Sequence, residues 1–220
     1  MSLQTATTTT SLSVPTEADL EFDRQVDALA LTGLPARLEV KDECFRAMLE
    51  PLRDLLPPVR QAAAEAAPTI PFVVVVPEAP AGMLLSAAHA EGGEGFTTLE
   101  DDDLARFRPL PELDVPAGPY LLLDVDTGPD SLGVPPATAL PAISGAGRSP
   151  LTIAEGLALL VTEPGVLRSR NCFSLLGSRA GDKRVPALWV SNRRPRLGWC
   201  WQGAPHSWLG SASCGGRRAA

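Results

Sequence analysis

Phe72 is followed by four valines, and Pro71 and Pro77 stand on either side. A run of this kind has no polar face to offer to water. It reads as a strand buried on both faces. The fold must therefore supply a covering layer on each side of at least one strand. Tyr120–Val125 (YLLLDV) makes the same demand. Around these two runs lie 22 prolines and 19 glycines in 220 residues, which favours short elements joined by frequent turns over long helices.

Thr- and Ser-rich residues 1–14 carry too little apolar area to offset ordering entropy and read as disordered. Thr16 and Asp19 have the spacing of a capping box, with Asp in place of the preferred Glu or Gln. A helix should follow, with Leu20, Val26, Leu29 and Ala30 on one face, ending at Gly33-Leu34-Pro35. Phe45, Met48, Leu49, Leu52, Leu55 and Leu56 recur at helical spacing. Pro51 interrupts them, so a kink near Glu50 or two short helices are expected. Pro57-Pro58 stops the run, and an alanine-rich helix through about residue 67 comes next. Residues 77–111 are poorly patterned and contain EGGEG and an acidic run at 100–103. They read as a long, partly mobile surface excursion.

Asp126-Thr127-Gly128-Pro129 is turn chemistry, and residues 136–146 suggest a short helix. Thr152 and Glu155 form a proper capping box ahead of Ile153, Leu157, Leu160 and Val161. Residues 172–176, 187–191 and 196–201 read as strands close enough to pair as an antiparallel meander. The fold class expected is α+β: a mixed sheet with a C-terminal antiparallel meander, packed against N-terminal helices. The boundaries expected are a disordered tail at 1–15, a helical segment at 16–67, an α+β domain at 68–214 and a disordered tail at 215–220.

Net charge is −7, but residues 151–220 hold ten bases and three acids, against nine and twenty-three before them. Attraction between the two parts is the simplest use of this split, and a basic face for an anionic ligand is the second. Overall acidity argues against nucleic acid as a partner. The longest apolar run, residues 72–76, falls far short of the roughly 20 residues that span a bilayer. With no signal-peptide pattern at the N-terminus, a cytoplasmic protein without a membrane partner is expected. In a reducing compartment, four cysteines suggest buried thiols, metal ligands or reactive groups before disulfides.

Residues 171–214 hold all four tryptophans, three of the four cysteines and one of the two histidines. Three chemistries compete for them. Cys172, Cys200, His206 and Cys214 are the right ligand types for zinc, though no Cys-x-x-Cys knuckle is present. Cys200 with His206 could form a thiolate nucleophile, helped by Arg193, Arg194 and Arg196. Arg179, Arg196, Trp199, Trp201, His206 and Trp208 could form a surface for a planar, anionic or peptide ligand. Trp199 and Trp201 alternate with Cys200, so one face of that strand must be special. Elsewhere, Asp124-Val125-Asp126 looks like a phosphatase nucleophile motif, but Lys183 is the only lysine after it and the acidic pair that would complete it is missing. Asp126-Thr127-Gly128 also resembles an aspartic-protease signature, and a strand-end turn is the plainer reading. Arg148, just ahead of the helix that opens at Thr152, is a candidate anion site.

Several long phrases match a known pattern: EFDRQVDAL, FRAMLEPLR, RPLPEL, YLLLDVDTG, GRSPLTIAEGLAL, GSRAGDKRVPALWVS and LGWCWQGAPHSWLGSAS. Through them the chain resembles an uncharacterised actinobacterial family, a domain of unknown function. The likeness covers most of the chain and is strongest over residues 110–213. It implies no activity and no cofactor. The expectation is therefore a soluble intracellular ligand-binding or regulatory protein, with a small molecule or a protein as partner. An enzyme built on Cys200 and His206, or a zinc site, is the alternative.

Overall fold

The computed structural model describes residues 15–58 and 69–220. The tail expected at 1–14 and the alanine-rich helix expected through residue 67 lie outside the described residues.

The chain opens with α1 (Glu17–Leu31), α2 (Leu34–Arg37) and α3 (Asp42–Leu49), and a 3-10 helix (Glu50–Leu55) follows. Next come β1 (Ile70–Val75), α4 (Ala81–Ala87), β2 (His89–Ala90), β3 (Gly93–Glu94), β4 (Phe96–Thr97), α5 (Asp101–Leu104) and β5 (Arg108–Pro109). The middle contains β6 (Tyr120–Val125), a short 3-10 turn (Pro129–Ser131), α6 (Pro136–Gly145), β7 (Ser149–Pro150) and α7 (Ile153–Thr162). The C-terminal part is β8 (Cys172–Ser174), β9 (Ser178–Arg179), β10 (Arg184–Ser191), β11 (Arg194–Trp201), β12 (Leu209–Ser211), β13 (Ser213–Cys214) and β14 (Gly216–Ala219).

The fold is α+β. A three-stranded antiparallel sheet has the order β1-β6-β14. A five-stranded mixed sheet has the order β12-β8-β10-β11-β4, with parallel pairs at its two edges. Its centre, β8-β10-β11, is the expected antiparallel meander.

Helix α1 begins at the Thr16/Asp19 capping box, in which both reciprocal bonds form. It buries Phe22, Gln25, Val26 and Leu29. Gln25 is wholly buried and does the work of a missing strand. Its amide donates to the Phe72 carbonyl at 3.0 Å and accepts from the Val74 amide at 2.8 Å. Strand β1 lies at the edge of its sheet, and an open edge of valines is a template for aggregation. Gln25 closes it. Phe72, Val73, Val74, Val75 and Val76 are all buried, as the sequence required. Pro51 ends α3 by starting the 3-10 helix rather than by kinking a longer one.

Helix α7 is apolar on nearly every side and runs through the core, against α1, α4 and β1. Its Gly156 lies on Leu175, where a Cβ would come within 2.4 Å of a leucine methyl. The main core joins α1, α3, α4, α7 and both larger sheets, so the N-terminal helices share it with the strands. A second, smaller core fills the other face of the five-stranded sheet, where Cys172, Leu176, Val185, Ala187, Cys200 and Leu209 meet Ala139 of α6.

Two expectations need correction. The segment 77–111 is not a loose excursion. Leu84, Leu85, Ala88 and Phe107 are buried, and two glycines let it dock closely. A Cβ on Gly95 would stand 2.2 Å from the Leu85 carbonyl oxygen, and one on Gly92 would stand 2.5 Å from that of Asn192. EGGEG is therefore docking chemistry, not slack. Residues 215–220 are not a disordered tail either, since β14 pairs with β6 from Gly216 to Ala219.

The force on that last strand comes from Glu155. This carboxylate is fully buried and receives four donors. Tyr120 Oη and Arg217 Nε reach Oε1, at 2.7 and 2.5 Å, while the Thr152 amide and Arg217 Nη2 reach Oε2, at 2.7 and 2.9 Å. Burial, and after it the charge of Glu155, pushes the Tyr120 phenol far above its ordinary pKa, so it stays a donor. Arg217→Met should leave Glu155 buried and unpaired and cost about 3–5 kcal/mol in urea denaturation. Adding Glu155→Gln should recover part of that loss. Removing residues 216–220 should destabilise as strongly as Arg217→Met, whereas a true tail could be cut without effect.

Candidate functional site

Pairing of β10 with β11 sets Val185 opposite Cys200, Ala187 opposite Gly198 and Trp189 opposite Arg196. These six therefore share one face of the sheet. Gly198 is the critical gap. A Cβ there would meet Cη2 of Trp189 at 2.2 Å, so the bare glycine lets that indole lie across β11. The Arg196 guanidinium sits 5.2 Å from the Trp189 ring centroid, donates to Thr98 Oγ1 at 2.9 Å and leaves its Nε buried without a partner.

Beyond β11 the chain turns at Gly203-Ala204-Pro205 and returns through His206 and Trp208 into β12. The His206 carbonyl accepts from the Gly133 and Leu209 amides, both at 3.0 Å. His206 then stacks at 5.2 Å on Trp208, and Trp208 lies 6.2 Å from Trp189. Trp199 and Trp201 meet edge to face at 4.8 Å. Arg184 covers the Trp199 ring at 5.6 Å and is itself held by Asp103 and Asp182.

The result is a cleft of about 330 Å³. All four tryptophans line it, with His206 and Cys200, over Ala187 and Leu209. Trp201 is the most open of them at 54% exposure, and the other three indoles are half-buried. The segment is thus neither wholly core nor wholly surface. Cys200 and Leu209 pack inside, and the indoles form walls above them.

Of the six expected ligand-binding residues, Trp199, Trp201, His206 and Trp208 come together here. Arg196 stands behind the wall, through Trp189. Arg179 does not line the cleft. It lies on β9 opposite Arg108, donates to the Ser178 carbonyl, and burial lowers its pKa. Trp189 was missing from the expected set. Its strand was foreseen, but its role depends on the register that puts it over Gly198.

The structure does not bring the four zinc candidates together. Among the described residues no group of three or more His, Cys, Asp or Glu side chains is placed to hold a metal ion. Cys214 belongs to β13 and the main core, while Cys172 and Cys200 belong to the smaller one. The thiolate reading also meets a physical obstacle. Cys200 and His206 line the same cleft, but burial pushes the Cys200 thiol up, and the nearest polar atom bonded to it is Ser174 Oγ at 3.9 Å. Arg179 offsets this only in part. The anion site near Arg148 is filled from within: that guanidinium pairs with Asp124 and Ser213, and the α7 N-terminus is closed by its own capping box. Asp126 accepts from the Gly128 amide at 2.8 Å, which is the strand-end turn.

A family model, the family of unknown function DUF5701, matches residues 28–220. The chain belongs to that family. No curated protein and no solved structure matches it. The family match spans both sheets and the whole aromatic cleft. No helix among the described residues is long and apolar enough to cross a membrane.

Thiol chemistry offers a direct check. Cys44 is exposed, whereas Cys172, Cys200 and Cys214 are buried, and burial pushes the Cys214 thiol up to about 11. At pH 8 one thiol per chain, mapping to Cys44, should react quickly with a chromogenic disulfide. The other three should react only on unfolding. A fast thiol at Cys200 would restore the nucleophile reading.

Proposed function

We propose that this protein is a ligand-binding or regulatory protein whose ligand presents a planar aromatic group to the tryptophan cleft. The observation that carries the proposal is the convergence of all four tryptophans of the chain, with His206, on one opening. Indole rings offer large flat faces and few rotatable bonds, and they pack well on other flat rings. Among the described lining residues none carries a fixed charge. Three cations stand behind its walls: Arg196 on Trp189, Arg184 on Trp199 with its charge paired to Asp103 and Asp182, and Arg179 close enough to act on Cys200. An anionic substituent is therefore favoured over a cationic one. Net charge of −7 makes a small molecule or a protein a better partner than nucleic acid. A cytoplasmic location is part of the same proposal, supported by four free thiols, and an actinobacterial source rests on the sequence resemblance.

Indole-3-acetate is a suitable probe, read by titration calorimetry because its own indole emission overlaps that of the protein's tryptophans. Saturable binding is expected, with tryptamine weaker. Trp201→Ala and Trp208→Ala should each weaken it by about five- to tenfold. Cys200→Ser should leave it unchanged. Trp201 is exposed, so its loss should not unfold the chain. No saturable binding, or an affinity unchanged from that of the unaltered protein in both tryptophan variants, would sink the proposal.

A further inference from the structure

A second cleft, of about 440 Å³, lies at the far end of the β10–β11 hairpin from the tryptophans. Three elements converge on it: the chain leaving α7, the β2–β3 flap and the hairpin turn. Ala88, Leu160, Leu167, Val190 and Pro195 give it an apolar floor. Arg168 and Arg193 line it as well. Both are exposed, and among the described residues neither forms an ion pair.

The wall that carries Arg193 is fixed rather than loose. Asn192 and Arg193 both take the left-handed backbone conformation, at φ 53° and 60°, which is the geometry of a tight two-residue hairpin turn. The Arg193 carbonyl accepts from the Gly92 amide at 3.0 Å, and the missing Cβ of Gly92 permits the approach. The flap is thereby held against the hairpin, and the cleft between them is built into the fold.

Two carboxylates also line it. Glu163 is already bonded to Arg24 at 2.7 Å, an arginine it shares with Glu21, and burial raises its pKa. Glu91 is exposed on the flap. Two guanidiniums outside any described ion pair lie beside an apolar floor, with Arg168 Nε donating to the Gly165 carbonyl at 3.3 Å. They match an anion that ends a hydrocarbon chain, because guanidinium binds carboxylate through paired hydrogen bonds.

We propose that this cleft binds an alkyl carboxylate, with the chain on the Leu160–Val190–Pro195 floor and the carboxylate on Arg168 and Arg193. It is a site separate from the tryptophan cleft and does not depend on it.

Octanoate titrated calorimetrically into the full chain tests the proposal. One saturable site is expected, tightening by about fourfold per methylene from butanoate to octanoate while the chain still fits. Arg168→Ala and Arg193→Ala should each weaken it by about tenfold or more, with melting temperature unchanged. Octylammonium should not compete, and Trp208→Ala should have no effect. A photoactivatable alkyl carboxylate should label residues in 160–169 or 190–195. Absence of saturable octanoate binding, unchanged affinity in both arginine variants, equal binding of octylammonium, or labelling confined to other segments would each overturn it.

Discussion

A carboxylate with no access to water organises this fold. An ion taken out of water without partners costs several kcal/mol, so Glu155 can sit at the start of α7 only if the surroundings supply donors. They come from three places in sequence. Thr152 belongs to the same helix turn, Tyr120 opens β6, and Arg217 arrives from the last strand and also bonds Ser149 and the Pro150 carbonyl. One capping residue thus ties the central helix, the three-stranded sheet and the C-terminus together. The same residue caps its helix and holds the fold closed.

The two clefts follow from how that frame is finished. The β10–β11 hairpin runs across the five-stranded sheet with a different environment at each end. At one end, Gly198 makes room for Trp189, and the returning chain adds His206 and Trp208. At the other, the left-handed pair Asn192–Arg193 receives the glycine flap. In both places a missing Cβ lets a large group come close, and the space beside it becomes an opening. Polar closure is handled in the same economical way at β1, where Gln25 occupies an edge that another strand would otherwise fill.

Local signals were legible where physics acts over a few residues. Both capping boxes form, at Thr16 and at Thr152, because each needs only a hydroxyl and a carboxylate three residues apart. Tyr120–Val125 is the strand its composition demands. Pro51 divides α3 from the 3-10 helix because its missing amide cannot continue the ladder. The segment 77–111 was not legible, since its glycines look like slack until their neighbours are known. Nor was β14. GRRA is short and polar and becomes a strand only because Arg217 has a buried carboxylate to reach. In the candidate site, Trp199, Trp201, His206 and Trp208 could be grouped by sequence proximity, but Trp189 and the exclusion of Arg179 required the register of β10 on β11.

The sequence by itself determined the fold class, the longer helices and strands, the central meander and the unusual character of residues 171–214. Periodicity, capping and turn chemistry are short-range, and they are written in consecutive residues. Only the tertiary structure decided that the tryptophans wall a cleft, that Cys214 lies in a different core from Cys172 and Cys200, and that Arg168 and Arg193 line one cleft with an apolar floor. Each of those facts depends on which distant residues pack together. That pairing is set by burial and by the demand of Glu155 for partners, and neither can be read from spacing along the chain.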